Sequence, residues 1–160
     1  MSENNSVSDE QLSRYIGEIA RNWSIHEHLM AAMYQTIPRI SYNDAMTICF
    51  ALSPPQRRDL LAALTEPKIS DQTLLSEFKA YLKEYDDVKK LRNDAVHGLW
   101  SSVPAFDTPL LTLVKSRATA TMNFARPDRS WFEDIISRLS ALHGRATDLN
   151  ERIFRAIASP

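Results

Sequence analysis

Residues 91–98 read Leu-Arg-Asn-Asp-Ala-Val-His-Gly, which puts a permanent cation, a side-chain amide and an imidazole within one short stretch. Arg92 offers a phosphate two parallel hydrogen bonds. Histidine is the residue type that titrates near neutrality, so His97 is the octet's proton carrier. Asn93 stands between them with both donor and acceptor capacity. The bare spacing Arg-x4-His is not selective, because it occurs at Arg21/His26, Arg92/His97 and Arg138/His143. With 13 Arg and 4 His in 160 residues, chance gives about 0.3 such pairs per chain. Context selects the middle pair, which alone ends at a glycine leading into an irregular, proline-rich stretch, where function commonly concentrates.

A straight helix turns by about 500° over five residues, which leaves Arg92 and His97 about 140° apart. The expectation is that they meet only if the helix frays at its glycine end, or if a second subunit completes the site. Arg92 also falls on an apolar stripe, where an unpaired guanidinium is costly, and so calls for a carboxylate, a phosphate or a wet interface. The plain structural alternative is an Arg paired inside a helical bundle and a surface His favoured by the helix dipole.

Other candidates are weaker. His26, Glu27 and His28 look like metal ligands, but on a helix residues two apart lie about 200° around the axis. One core-facing and one solvated histidine is the better reading, with Glu27 free to pair with a neighbouring cation. No metal or cofactor is expected, and a hydrolase metal site from His26, Glu27 and His97 has poor ligand spacing. Arg138 and His143 are assigned to a solvated helix face. Tyr85-Asp86-Asp87 sits in mid-helix with no accompanying domain and is set aside. Cys49, in the run Met46–Leu52, reads as a buried structural thiol.

The elements that must position the octet are mostly helical. Ser8 and Gln11 form a capping-box pattern, followed by an apolar stripe at Leu12, Ile16, Ile19, Trp23, His26, Met30, Met33 and Ile37 that Pro38 ends. A short helix is expected after Ser41, over Asp44 to Leu52. Another runs from a Ser53 cap with Pro54 in its first turn to Leu64. A third long pattern begins near Ser70 or Asp71 and runs through Leu74, Phe78, Tyr81, Tyr85 and Val88 to Arg92 and Ala95, with Gly98 as its stop. Pro104, Pro109 and Pro127 break the pattern that follows. A small β-hairpin is expected between residues 110 and 124, from Leu110–Lys115 and Ala118–Phe124, turning at Ser116-Arg117. Ser130 and Glu133 suggest a second capping box, opening a last helix with Phe132, Ile135, Leu139, Leu142, Ala146, Leu149 and Ile153 on its stripe. The fold class is therefore all-α, an antiparallel bundle of three long and two short helices, with residues 1–7 a disordered tail and 8–157 one domain.

Composition sets limits on function. A net charge of −1 supplies no global field for nucleic acid, yet residues 101–160 hold 8 basic and 6 acidic side chains against 3 and 6 in residues 1–50. Only 3 glycines leave no glycine-rich phosphate cradle. One cysteine, no signal-peptide pattern and no long apolar run together point to the cytoplasm and away from the membrane.

The segment Leu91 to Gly98, continuing to Leu99-Trp100, resembles the signature of the HEPN superfamily, all-α domains with an Arg-x(4–6)-His motif that often carries Asn after the Arg. The layout is similar too: a long first helix with a mid-helix Glu, here Glu27 beside His26, then a motif-bearing helix and a long closing helix. The resemblance implies metal-independent cleavage of RNA at a site where two subunits of a homodimer meet. His97 would be the general acid or base on the ribose 2′-hydroxyl, Arg92 the stabiliser of charge on the phosphate, and Asn93 a positioning residue. The products would be a 2′,3′-cyclic phosphate and a 5′-hydroxyl. Toxin–antitoxin systems and phage defence use this family, so a protein inhibitor or antitoxin is an implied partner. Toxins of the group silenced by a nucleotidyltransferase carry Tyr two residues after the His, where this chain has Leu99. Some members are non-catalytic modules that dimerise or bind a protein or nucleotide, and that is the alternative function.

Overall fold

The computed structural model describes residues 6–102, 109–116 and 121–158. The chain is mostly helical, with α1 (Asp9–Thr36), α2 (Tyr42–Ala51), α3 (Pro54–Thr65), α4 (Gln72–His97) and α5 (Arg129–Ala158), a 3₁₀ turn at Glu66–Lys68, and three strands, β1 (Leu99–Ser101), β2 (Leu110–Ser116) and β3 (Thr121–Ala125). Among the described residues no helix is long and apolar enough to cross a membrane.

The helix starts follow from their caps. The Ser8 amide donates to Gln11 Oε1 at 2.9 Å and the Gln11 amide donates to Ser8 Oγ at 3.3 Å, the reciprocal box expected for α1. Ser41 Oγ accepts from the Asp44 amide at the head of α2, and Asp71 accepts from the Thr73 and Leu74 amides at the head of α4. The expected Ser130/Glu133 box does not form. Asp128 caps α5, accepting from the Trp131 amide at 3.1 Å and from Ser130 Oγ at 2.6 Å, and these bonds hold its carboxyl below the usual range. Glu133 instead accepts from Arg129 Nε at 2.7 Å. A carboxylate two residues earlier competes successfully for the orphan amides because it is the stronger acceptor.

The strands form a three-stranded antiparallel sheet in the order β1-β2-β3. Leu99 pairs with Thr112 and Trp100 with Leu111, while Thr112 pairs with Phe124 and Val114 with Met122. The expected hairpin strands are present, but β1 was not foreseen, since three residues are too few to show a period. Ser116, expected in the turn, is the last residue of β2 and pairs with Thr121, while Arg117 lies outside the described residues, as do residues 1–5 of the expected tail. Val7, assigned to that tail, is buried.

The chain divides into two compact units, Met1–Trp23 with Val88–Leu139 and Ser24–Asp87 with Ser140–Pro160. In the first, Leu12, Ile19, Trp23, Val88, Phe132 and Ile135 form the core. The inner face of the sheet adds Leu111 and Trp100, whose ring lies 5.6 Å from Phe132 and 6.4 Å from Trp131. Burying a side chain such as Phe132 contributes roughly 1.5–3 kcal/mol. In the second, Met30, Tyr34, Phe78, Tyr81, Tyr85 and Leu142 are buried with His26. Cys49 is buried as expected, and burial raises its thiol pKa.

Candidate functional site

The octet occupies the last turns of α4 in the first unit. Three features fix that helix end. Trp100 Nε1 donates to the Ala95 carbonyl at 2.9 Å, satisfying one of the acceptors a helix C-terminus leaves open. The Gly98 amide donates to the Asp94 carbonyl at 3.1 Å. Gly98 also accepts close packing: a Cβ there would lie 2.2 Å from Leu111 Cδ1 and 2.5 Å from the Asp94 carbonyl oxygen. The glycine stops α4 as expected, since the helix ends at His97, and it does so without a left-handed backbone, because no glycine has positive φ. Its role is steric, letting β2 press against the end of α4.

Arg92 and His97 meet within one chain. Arg92 Nη1 lies 2.9 Å from His97 Nε2 and 3.0 Å from Asn93 Oδ1. The expectation that regular helical geometry keeps the pair apart is corrected, because a guanidinium on a long stem reaches around the helix to a histidine on its last residue. A guanidinium nitrogen donates and cannot accept, so His97 Nε2 must present its lone pair: this contact requires a neutral imidazole carrying its proton on Nδ1. His97 and Asn93 are exposed and Arg92 is half-buried.

One partner of Arg92 on the stripe is an aromatic face. Its guanidinium carbon lies 5.6 Å from the Trp23 ring centroid, a cation–π contact of about 0.5–2 kcal/mol according to its desolvation. The stripe suggested a carboxylate, a phosphate or a wet interface, and the aromatic face was not foreseen. Trp23 and Trp100 are the supporting residues that sequence reasoning missed. Their signal was the cation itself, sitting at a position where its neighbours on other elements are apolar or aromatic.

The other candidates have partners in the second unit. Glu27 pairs with Arg57 at 2.9 Å, so the cation it was expected to find is Arg57, which also donates to the Leu52 carbonyl. His26 is fully buried, with Tyr81 Oη 3.2 Å from its Nε2. The same hydroxyl lies 3.1 Å from Met30 Sδ, but its one proton goes to the imidazole, the stronger acceptor. His28 is exposed, as expected. His143 is not on a solvated face: it is half-buried and stacks on His26 with ring centroids 5.6 Å apart. Burial first, and His143 second, lower the His26 pKa to about 3. Asp86 is ion-paired with Arg58. Among the described residues no cluster of three or more His, Cys, Asp or Glu side chains is placed to hold a metal ion.

A recess of about 550 Å³ in the first unit is lined by Gln11, Arg14, Tyr15, Glu18, Arg129 and Glu133. Its two cations face two carboxylates, so it offers an anion no net attraction. Comparison with protein-family models, curated proteins and solved structures finds no match.

Proposed function

We propose that this chain is a metal-independent endoribonuclease of the HEPN type, acting in the cytoplasm as a homodimer. The observation that carries the reading is the 2.9 Å contact between Arg92 Nη1 and His97 Nε2, with Asn93 on the same guanidinium nitrogen. It unites a phosphate-binding cation with a neutral, exposed imidazole. In the free protein the guanidinium occupies the basic nitrogen of His97. A phosphodiester draws Arg92 into paired hydrogen bonds with its oxygens and leaves Nε2 open to the adjacent 2′-hydroxyl.

His97 then takes the 2′ proton as the 2′-oxygen attacks phosphorus, and the bond to the 5′-oxygen breaks. The protonated imidazole holds the proton that the departing 5′-oxygen requires. Arg92 stabilises the added negative charge on the phosphate oxygens, and Asn93 holds Arg92 in register. The products are a 2′,3′-cyclic phosphate and a 5′-hydroxyl. Such an activity suits a toxin or phage-defence effector restrained by a protein inhibitor.

The test incubates the protein with single-stranded RNA, with and without EDTA, beside Arg92→Ala and His97→Ala. Expected is EDTA-resistant cleavage that falls about 10²–10⁴-fold in each variant. Cleavage abolished by EDTA would overturn the metal-independent mechanism. The second reading, a non-catalytic dimerisation or binding module for a protein or nucleotide, draws on the Trp23 contact of Arg92, which gives the cation a structural role on this stripe. No cleavage under any condition would select it.

A further inference from the structure

The two edges of the β1-β2-β3 sheet differ. β1 has three residues, and shortness itself blunts an edge strand. β3 has five, Thr121-Met122-Asn123-Phe124-Ala125, and carries neither the charge nor the proline that commonly guards an edge. It pairs with β2 on one side, and no further strand joins it among the described residues. The register shift in that ladder falls on β2, between Val114 and Ser116. Met122, Asn123, Phe124 and Ala125 are all exposed, Phe124 by 64% and Met122 by 54%. Open main-chain donors and acceptors with two large apolar side chains beside them are a template for another strand.

The order of residues on β3 says which strand fits. Antiparallel pairing about a two-fold axis at Asn123 sets each residue opposite the one equally far along on the other side. Met122 then meets Phe124 of a second copy, and Phe124 meets the second copy's Met122, giving two sulfur–aromatic pairs. Asn123 meets itself, and a side-chain amide, with donor and acceptor together, is one of the few polar groups that can pair with its own copy. Thr121 comes opposite Ala125. Charge does not oppose the pairing, because the two Arg126 residues that follow the strands stand roughly 20 Å apart along them, well beyond the screening length of ordinary salt. The pairing consumes the open edge of both copies, so assembly closes at two. A strand from an unrelated protein would have to supply by chance what a second β3 supplies by symmetry.

We infer that β3 is the contact between two copies of this chain, paired edge to edge about Asn123 so that two three-stranded sheets join into one. The inference rests on the ribonuclease reading only for its homodimer, to which it gives a surface, and association is measurable without cleavage. The experiment is sedimentation of the wild type, Asn123→Lys, Asn123→Asp and an equimolar mixture of the two variants. The wild type is expected to be a dimer. Each variant alone sets like charges opposite one another at the axis and should weaken association about tenfold or more. The mixture should recover dimers with one copy of each variant, because a lysine then faces an aspartate. The altered side chain is exposed, and unchanged helical circular dichroism checks the fold.

A monomeric wild type, or a dimer as stable in Asn123→Lys as in the wild type, would overturn the contact. So would variants that fall apart alone and stay apart when mixed, since position 123 would then not meet itself. A wild type that cleaves RNA as a monomer would sink the edge contact and leave the cleavage chemistry standing. Charge-paired dimers beside a wild type that leaves RNA uncut would keep the contact and refute the ribonuclease reading.

Discussion

Arg92 touches the Trp23 ring, the Asn93 side chain and the His97 imidazole, whereas His26 is a fully buried histidine beside Tyr81 and His143. The difference makes His26 a test of pH stability. Its pKa in the folded protein is lowered to about 3 from an ordinary 6.5, by burial and then by His143. Between those values the unfolded chain binds the proton and the folded chain does not, so stability must fall as the pH drops through that window. The expected loss approaches about one kcal/mol for each pH unit, read from urea midpoints between pH 7 and pH 4. His26→Phe, which keeps an aromatic ring in the core, should flatten this dependence. A slope unchanged in the variant would place the acid sensitivity elsewhere. The sequence allowed His26 to be recognised as a core histidine, because it lies on an unbroken apolar stripe. It could not show that His143, 117 residues later, would stack on it.

Helices and their stripes were legible because helical periodicity repeats over many residues, and the residues chosen for the stripes of α1, α4 and α5 are almost all buried. The third strand was not, because β1 is specified by what it pairs with rather than by its own three residues. Gly98 shows the same limit: its sequence position marked the helix stop, where α4 ends, but not the close approach of Leu111 that also requires a glycine there. The three glycines should therefore respond with opposite signs to one methyl group. Gly17→Ala and Gly144→Ala, in helix interiors with open space around them, should stabilise the protein by about 0.5–1 kcal/mol each. Gly98→Ala should cost about 1–3 kcal/mol and reduce RNA cleavage by displacing His97. Equal thermal shifts at all three positions would show that β2 does not press on the end of α4.

For the whole molecule, the division into two units leaves no mark in the sequence. Its boundaries fall after Trp23, Asp87 and Leu139, inside α1, α4 and α5, and so lack the Pro and Gly that mark linkers. The contact between Arg92 and His97 within one chain leads to an expectation for the homodimer. Co-expressed Arg92→Ala and His97→Ala subunits should remain as inactive as either alone, because no chain in the mixture carries both side chains. Were each site to combine Arg92 of one subunit with His97 of the other, random pairing would restore about a quarter of the wild-type rate. The cleavage rate of the mixed preparation, with its dimer fraction measured by sedimentation, decides between these arrangements.

The Trp23 contact has an optical consequence. An indole under a guanidinium emits in a field that changes when the cation shifts, and on the proposed mechanism Arg92 shifts as it takes up a phosphodiester. With Trp100 and Trp131 replaced by Phe, the emission of Trp23 is expected to shift on adding a 2′-O-methyl oligouridylate, which lacks the attacking hydroxyl, and to stay constant in Arg92→Ala. The residue that binds the substrate would then carry its own lamp.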